Sequence, residues 1–193
     1  MVKVGFIVEG DTEKILMESG TFRKWCDTNG IAVVDPVINA QGGGNLLPKY
    51  LSNHIARLSK NGTPDKIVVL TDLEREPNVT EVRNRIQTGD IDFIFVAVKA
   101  IEAWFLADSA AMSSCLGEKG FHEDFPEKTP NMPWERIKQI AREKKQRGPG
   151  ASKPGFARKM TGNHGFSIER AAKHPNCPSA KEFHDTLKAW GQG

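Results

Sequence analysis

Four short apolar runs punctuate the first half of the chain, and helical patterns separate them. Val2–Val8 is a compact hydrophobic run that stops at Glu9-Gly10, which reads as a buried strand ended by a breaker. Thr12–Thr28 follows as a helix, with Ile15, Phe22 and Cys26 on one face, Leu16 beside them and Gly30 just past its end. Asp11 or Thr12 is placed to cap it. Ile31–Asn39 is a second strand, and Pro36 inside it argues for an edge position. Gln41-Gly42-Gly43-Gly44-Asn45 reads as a turn. Leu47, Leu51, Ile55 and Leu58 recur at helical spacing across Leu47–Ser59. Lys66–Thr71 is the cleanest strand and leads into Thr71-Asp72-Leu73-Glu74. Pro77 suits the first turn of a helix that would bury Val79, Val82 and Ile86. Ile91–Val98 is the fourth strand and ends at Lys99; a helix from Ala100 to about Leu116 comes after it.

Strands that alternate with helices predict a mostly parallel, Rossmann-like α/β sheet of four strands, flanked by helices. In such a sheet every strand ends on the same edge, where open α/β folds bind ligands. Glu9, Asp72, Glu74 and Glu102 are therefore expected along that edge. The texture changes after Leu116. Phe121–Pro133 reads as loop, Trp134–Lys145 as a charged helix and Gly148–Gly155 as a breaker-rich linker. Phe156–Met160, Ile168–Lys173 and Pro178–Trp190 are further helical segments. The organisation expected is an α/β domain over 1–118 and a helical and loop extension over 119–193 that packs on that core, against the sheet edge, rather than forming a separate domain.

Composition changes the picture in one respect. The chain has 193 residues and a net charge of +3. Between Trp134 and Lys173, eleven Lys/Arg face three Asp/Glu, so this stretch carries +8 and the remainder −5. An acidic front and a basic back fit a protein that holds a metal in one place and a polyanion in the other. Arg142, Lys144, Lys145, Arg147, Lys153, Arg158 and Lys159 form the candidate nucleic-acid contact; a solvated helix face is the bland alternative. Aromatic residues in the segment are few, which disfavours a stacking platform there. Three widely spaced cysteines imply no disulfide framework and suit a reducing compartment. No stretch is apolar enough to span a bilayer, and the immediate strand leaves no room for a signal peptide. A cytoplasmic protein with no membrane partner is expected.

The chemistry rests on the acids. Hard divalent cations take oxygen ligands, commonly one or two carboxylates with water and substrate phosphate completing the shell. Singly, Glu9 or Asp72 is better read as a helix cap. Together, acids at the ends of several buried strands favour a metal site for phosphoryl chemistry. Lys99, at the end of the fourth strand, is a candidate for stabilising charge at phosphorus. His174, Cys177 and His184 are too loosely spaced to read as zinc ligands. His164, flanked by Asn163 and Gly165, reads as a surface loop residue.

Val8-Glu9-Gly10-Asp11-Thr12-Glu13 resembles the first motif of TOPRIM domains, in the form seen in the overcoming-lysogenization-defect nucleases and their small bacterial relatives. Asp72-Leu73-Glu74 resembles the paired-acid motif of that fold, although the usual pair is D-x-D. Ile101-Glu102-Ala103-Trp104-Phe105-Leu106-Ala107-Asp108, and the tail through Gly162-Asn163-His164-Gly165 and Asn176-Cys177-Pro178, resemble segments of short TOPRIM-like proteins. The resemblance implies a Mg²⁺- or Mn²⁺-dependent nuclease acting on DNA or RNA. It makes Glu9 the proton-transfer residue or a metal ligand, Asp72 and Glu74 metal ligands, and Glu13 and Glu102 supports for a second ion. It also implies a separate ATPase subunit as partner and is compatible with a homodimer. Two other readings stay open: a non-catalytic module of a defence-type system that binds nucleic acid or a partner, and a phosphatase or phosphotransferase using the same acids.

Overall fold

The computed structural model describes residues 1–146 and 148–193, with Asn61 described by its backbone alone. Strands β1 (Val2–Val8), β2 (Ile31–Asn39), β3 (Lys66–Asp72) and β4 (Phe93–Ala97) form one sheet in the order β2-β1-β3-β4. Every pairing is parallel, so the architecture is a Rossmann-like α/β sheet flanked by helices. β1 and β3 lie in the middle and are covered on both faces, which is why their sequences are continuously apolar rather than alternating. β2 lies at an edge, as its proline requires. Gly5 pairs with Val34 and Ile7 with Ile38, so three residues of β2 bulge opposite Phe6 where Pro36 has no N–H to donate.

Helices α1 (Asp11–Glu18) and α2 (Gly20–Thr28) stand where one helix is expected from Thr12 to Thr28. The break is at Ser19, whose backbone is extended; its Oγ accepts from the Phe22 N–H and donates to the Leu16 carbonyl. The serine thus ends one helix and caps the next. Neither Asp11 nor Thr12 caps α1. Gly10 holds that position, and Glu13 reaches back to accept the Gly10 N–H at 3.0 Å. After a 3₁₀ turn at Gly43–Leu46, α3 (Pro48–Asn61) buries Leu51 and Leu58. Helix α4 (Val79–Ile86) buries Val82 and Ile86, but Pro77 precedes its cap, which Asn78 provides to the Glu81 N–H. α3 and α4 cover one face of the sheet together with Ile7, Val69 and Ile94.

The other face carries everything else. The helix expected from Ala100 to Leu116 is also two, α5 (Glu102–Ala107) and α6 (Ser109–Leu116), divided at Asp108. Asp108 is fully buried, and its carboxylate accepts from the N–H groups of Ala111 and Ser167 and from Arg170. Helices α7 (Pro133–Glu143), α8 (Lys153–Gly162), α9 (Ile168–Ala172) and α10 (Pro178–Gln192) complete this layer. They do not stop at the sheet edge. Phe183 of α10 packs its ring against Phe6, Phe22, Phe95 and Trp104. Phe156, Phe166 and Leu187 join the same core as Val4 and Val68, so residues after 118 share one hydrophobic interior with the sheet. Among the described residues no helix is long and apolar enough to cross a membrane.

Candidate functional site: an acidic cleft at the strand ends

Parallel strands deliver their carboxyl ends to one edge, and the acids collect there. Glu9, Glu13, Asp72, Glu74 and Glu102 line one cleft of about 340 Å³, with Gly10, Asn39 and Gly42 in its walls. Glu9 follows β1 directly. Its Oε2 accepts from the Thr71 hydroxyl and, at 3.2 Å, from the Asp72 N–H. Its Oε1 has no donor among the described residues, and a Cβ on Gly43 would lie 3.3 Å from it. Asp72 ends β3 and accepts the Ile101 N–H at 2.8 Å, which ties the acid to the turn after β4. Glu102 opens α5 and is buried at 1% exposure, yet neither of its carboxylate oxygens has a hydrogen-bond donor among the described residues.

The missing charge complement is partly supplied by a residue that the sequence placed elsewhere. Lys153, grouped above with the basic segment, sits in the cleft with Nζ 3.2 Å from Glu102 Oε2, off hydrogen-bond geometry. It opens α8, whose N-terminal end repels a cation, so the acids are what hold it there. Burial works against its charge, but Glu102 and Asp72 outweigh that and raise its pKa. The acids respond in kind. Burial, reinforced by Glu102 and Glu9, lifts Glu13 to about 7. Burial and the charges of Glu13, Glu102 and Glu9 push Asp72 well above the ordinary carboxylate range, with Lys153 opposing. Burial raises Glu102 as well, against the pull of Lys153. Burial and mutual repulsion thus disfavour the charged forms of Glu13, Asp72 and Glu102, and Lys153 offsets this only in part.

Other expected residues fall outside this set or at its margin. Glu74 is exposed at the rim in a left-handed conformation (φ 50°), and its carboxylate has no partner among the described residues. Lys99 is also left-handed (φ 62°) and turns away from the acids: its Nζ donates to the carbonyls of Thr129 and Asn131. Lys144 pairs with Glu118 at 2.5 Å, whereas Arg142 stands with Lys99 and Glu74 in a second groove. Lys145, Arg158 and Lys159 are exposed, and Arg147 lies outside the described residues. His164 is hydrogen-bonded to Ser114; His174 stacks on His122, Cys177 is buried and His184 lies against Trp25.

Lys153, inside the cleft, and Thr71, buried beneath it against Glu9, are the residues that the sequence did not assign to this site. Thr71 carried a signal, a buried polar residue (1% exposed) closing an apolar strand. Lys153 carried none, since it lies in the stretch read as a linker and only the fold brings it beside Glu102.

The donor set suits a hard cation. Every inner acid offers oxygen, and Lys153 alone among the described residues brings positive charge to the buried Glu102 carboxylate, which leaves several acidic oxygens unmatched. Among the described residues no three such groups stand ready-made around one point. Magnesium does not need that, since it binds through one or two carboxylates and completes its shell with water and phosphate. No curated protein and no solved structure matches the chain. A family model, described as a domain of unknown function (DUF4276), matches residues 8–188, and the chain belongs to that family.

Proposed function

We propose that this protein is a divalent-metal-dependent phosphodiester hydrolase acting on DNA or RNA. The observation that carries the reading is the buried carboxylate of Glu102, which shares a cleft with Glu9, Glu13 and Asp72 and has the part-exposed Lys153 as its one cationic neighbour among the described residues. Asp72, Glu102 and Glu13 would hold Mg²⁺ or Mn²⁺, with Glu74 reaching from the rim. The chemistry that such an ion supplies is neutralisation of the charge developing on the phosphate. Glu9 is held through Oε2 by Thr71 and the Asp72 N–H, and its Oε1 is left to take a proton from the attacking water. A bond from that water oxygen to phosphorus would form as the ester P–O bond breaks, the departing oxygen would take a proton from solvent water, and Glu9 would return its own proton to solvent. Lys153 adds positive charge to the same cleft. Lys99, committed to two carbonyls, has no part in this reading. Free thiols at Cys26, Cys115 and Cys177 suit a reducing, cytoplasmic setting.

Labelled DNA and RNA incubated with Mg²⁺ or Mn²⁺ test the reading. Cleavage by the wild type, lost on addition of EDTA and in Glu9→Gln and Asp72→Asn, is the expected result. Equal cleavage by all three proteins, or none by the wild type, overturns it.

A further inference from the structure

The acidic cleft continues into a larger depression of about 490 Å³ that shares Asp11, Asn39 and Gln41 with it. Its floor is the end of β2, one wall is the start of α1, and the other is a stripe of α3. Along that stripe Tyr50, Asn53, His54 and Arg57 follow helical i, i+3, i+4, i+7 spacing, beside the stripe that buries Leu51 and Leu58. The composition of the stripe is unlike an idle surface. Tyr50 is 39% exposed, one of three large hydrophobic side chains left in solvent among the described residues. Lys49 lies 4.7 Å from its ring centroid, and Lys14 and Arg57 line the groove beyond it. Arg57 has no acidic partner among the described residues, and Lys14 has only a 3.7 Å surface contact with Glu18. The Asn53 amide makes no hydrogen bond among the described residues. His54 Nε2 meets the Asn45 carbonyl at 3.2 Å, which leaves a buried Nδ1 unpartnered in the wall.

We propose that this groove between α1 and α3 is the binding subsite for a nucleotide of a single-stranded nucleic acid, with its base on Tyr50 and its phosphate against Arg57 and Lys14. The volume is in the range that encloses a small ligand, about 300–1000 Å³. An exposed aromatic flanked by cations is the arrangement that tracks single strands, because every base has a face to stack and every linkage a charge to meet. The cleft's far side supports the same path. Glu74 is shared between the cleft and the groove that carries Arg75 and Arg142, so cation-lined depressions flank the acids on both sides. A strand crossing the sheet edge would meet lysine and arginine on either side of the acids. The bases would stack at the Tyr50 end, not along the basic segment after residue 134. The inference rests on the phosphodiesterase reading of the neighbouring cleft.

Fluorescence anisotropy of short labelled single strands, in separate DNA and RNA arms, measures this directly in calcium buffer at fixed salt, with a duplex of the same sequence as a further arm. Tyr50→Ala and Arg57→Glu are each expected to weaken single-strand binding about tenfold, Tyr50→Phe to bind as the wild type, and the duplex to bind more weakly than either single strand. Whichever arm binds more tightly identifies the sugar. Wild-type affinity in both Tyr50→Ala and Arg57→Glu, or no single-strand binding by the wild type, overturns the subsite. Cleavage assayed alongside separates the two ideas. Metal-dependent cleavage with unchanged affinity in the groove variants removes the subsite alone. Weakened binding in those variants without any cleavage by the wild type keeps the subsite and removes the hydrolase.

Discussion

The ammonium of Lys153 stands 3.2 Å from Glu102 Oε2, joining the first residue of α8 to the first residue of α5 across the mouth of the sheet. Glu102 is buried and Lys153 is 41% exposed, so the pair is lopsided: the acid bears most of the desolvation and the lysine can leave. A cation arriving in the cleft would compete with that lysine for the same carboxylate.

Removing the lysine should therefore hurt the metal-free protein more than the metal-loaded one. Lys153→Met is expected to cost about 1–2 kcal/mol in EDTA, below the usual penalty for breaking a buried pair because water reaches Lys153. Millimolar Mg²⁺ should shrink the loss. Urea unfolding with and without the ion measures both. A loss of the same size in the two buffers would show that Glu102 does not meet the ion.

Asp72→Asn should separate stability from activity. The asparagine oxygen can still accept the Ile101 N–H, while the charge that Glu13, Glu102 and Glu9 repel is gone. The metal-free variant is expected to gain about 1 kcal/mol, and cleavage should fall by about 100-fold or more. Thermal melts in EDTA and a cleavage time course read the two effects.

The pH dependence of the metal-free fold carries a definite sign. Glu13 titrates near 7 in the folded chain and near 4.5 when unfolded, so between those values the folded state binds more protons. Stability then falls as pH rises through that window, by at most about 3 kcal/mol for this group. Asp72 and Glu102 shift in the same direction and add to the slope. Glu13→Gln, which can keep the contact to the Gly10 N–H, should flatten the curve. Denaturant midpoints measured in EDTA from pH 4.5 to 7.5 test it.

Asp108 is the structural counterpart, a buried acid whose charge is fully met. Its two oxygens take Arg170 Nε and Nη2 at 2.8 Å each, besides the N–H groups of Ala111 and Ser167. Asp108→Ala leaves the Ser167 N–H without its acceptor and uncaps α6, while Arg170, 43% exposed, keeps the Gly165 carbonyl; the change should cost about 2–4 kcal/mol with no sensitivity to Mg²⁺. Chemical denaturation with and without the ion distinguishes it from the cleft acids.

The contrast between these two acids shows what the chain's order of residues reveals. The strands were legible because β1 and β3 are apolar without interruption, and Pro36 marked β2 as an edge. Glu9, Asp72 and Glu102 were legible because parallel strands have only one carboxyl edge. Lys153 was not, since nothing local says that the start of α8 folds back beside Glu102; that is set by Phe156 and Met160 entering the shared core. The same loss of long-range information hid Asp108, whose break in an otherwise helical run only makes sense once Arg170 is opposite it. Lys99 follows the fourth strand as its position suggested, but what its side chain meets was not legible: its backbone is left-handed and its Nζ donates to the Thr129 carbonyl.

Thr71 offers the sharpest test of how Glu9 is held. Its hydroxyl and the Asp72 N–H both go to Oε2, and no other donor among the described residues reaches that carboxylate. Thr71→Val keeps the shape of the side chain and the strand but removes the hydroxyl, leaving Glu9 anchored by one backbone N–H. A carboxylate that must present its other oxygen to a water depends on that anchor for orientation. Cleavage is expected to fall about tenfold in kcat with KM nearly unchanged, because Thr71 touches Glu9 and not the substrate. Thr71→Ser restores the donor and should recover most of the rate, although it removes a buried methyl. If valine and serine variants lose activity equally, packing at Thr71 matters and its hydrogen bond to Glu9 does not. If neither loses any, Glu9 needs no anchor and its place as the proton acceptor fails with it.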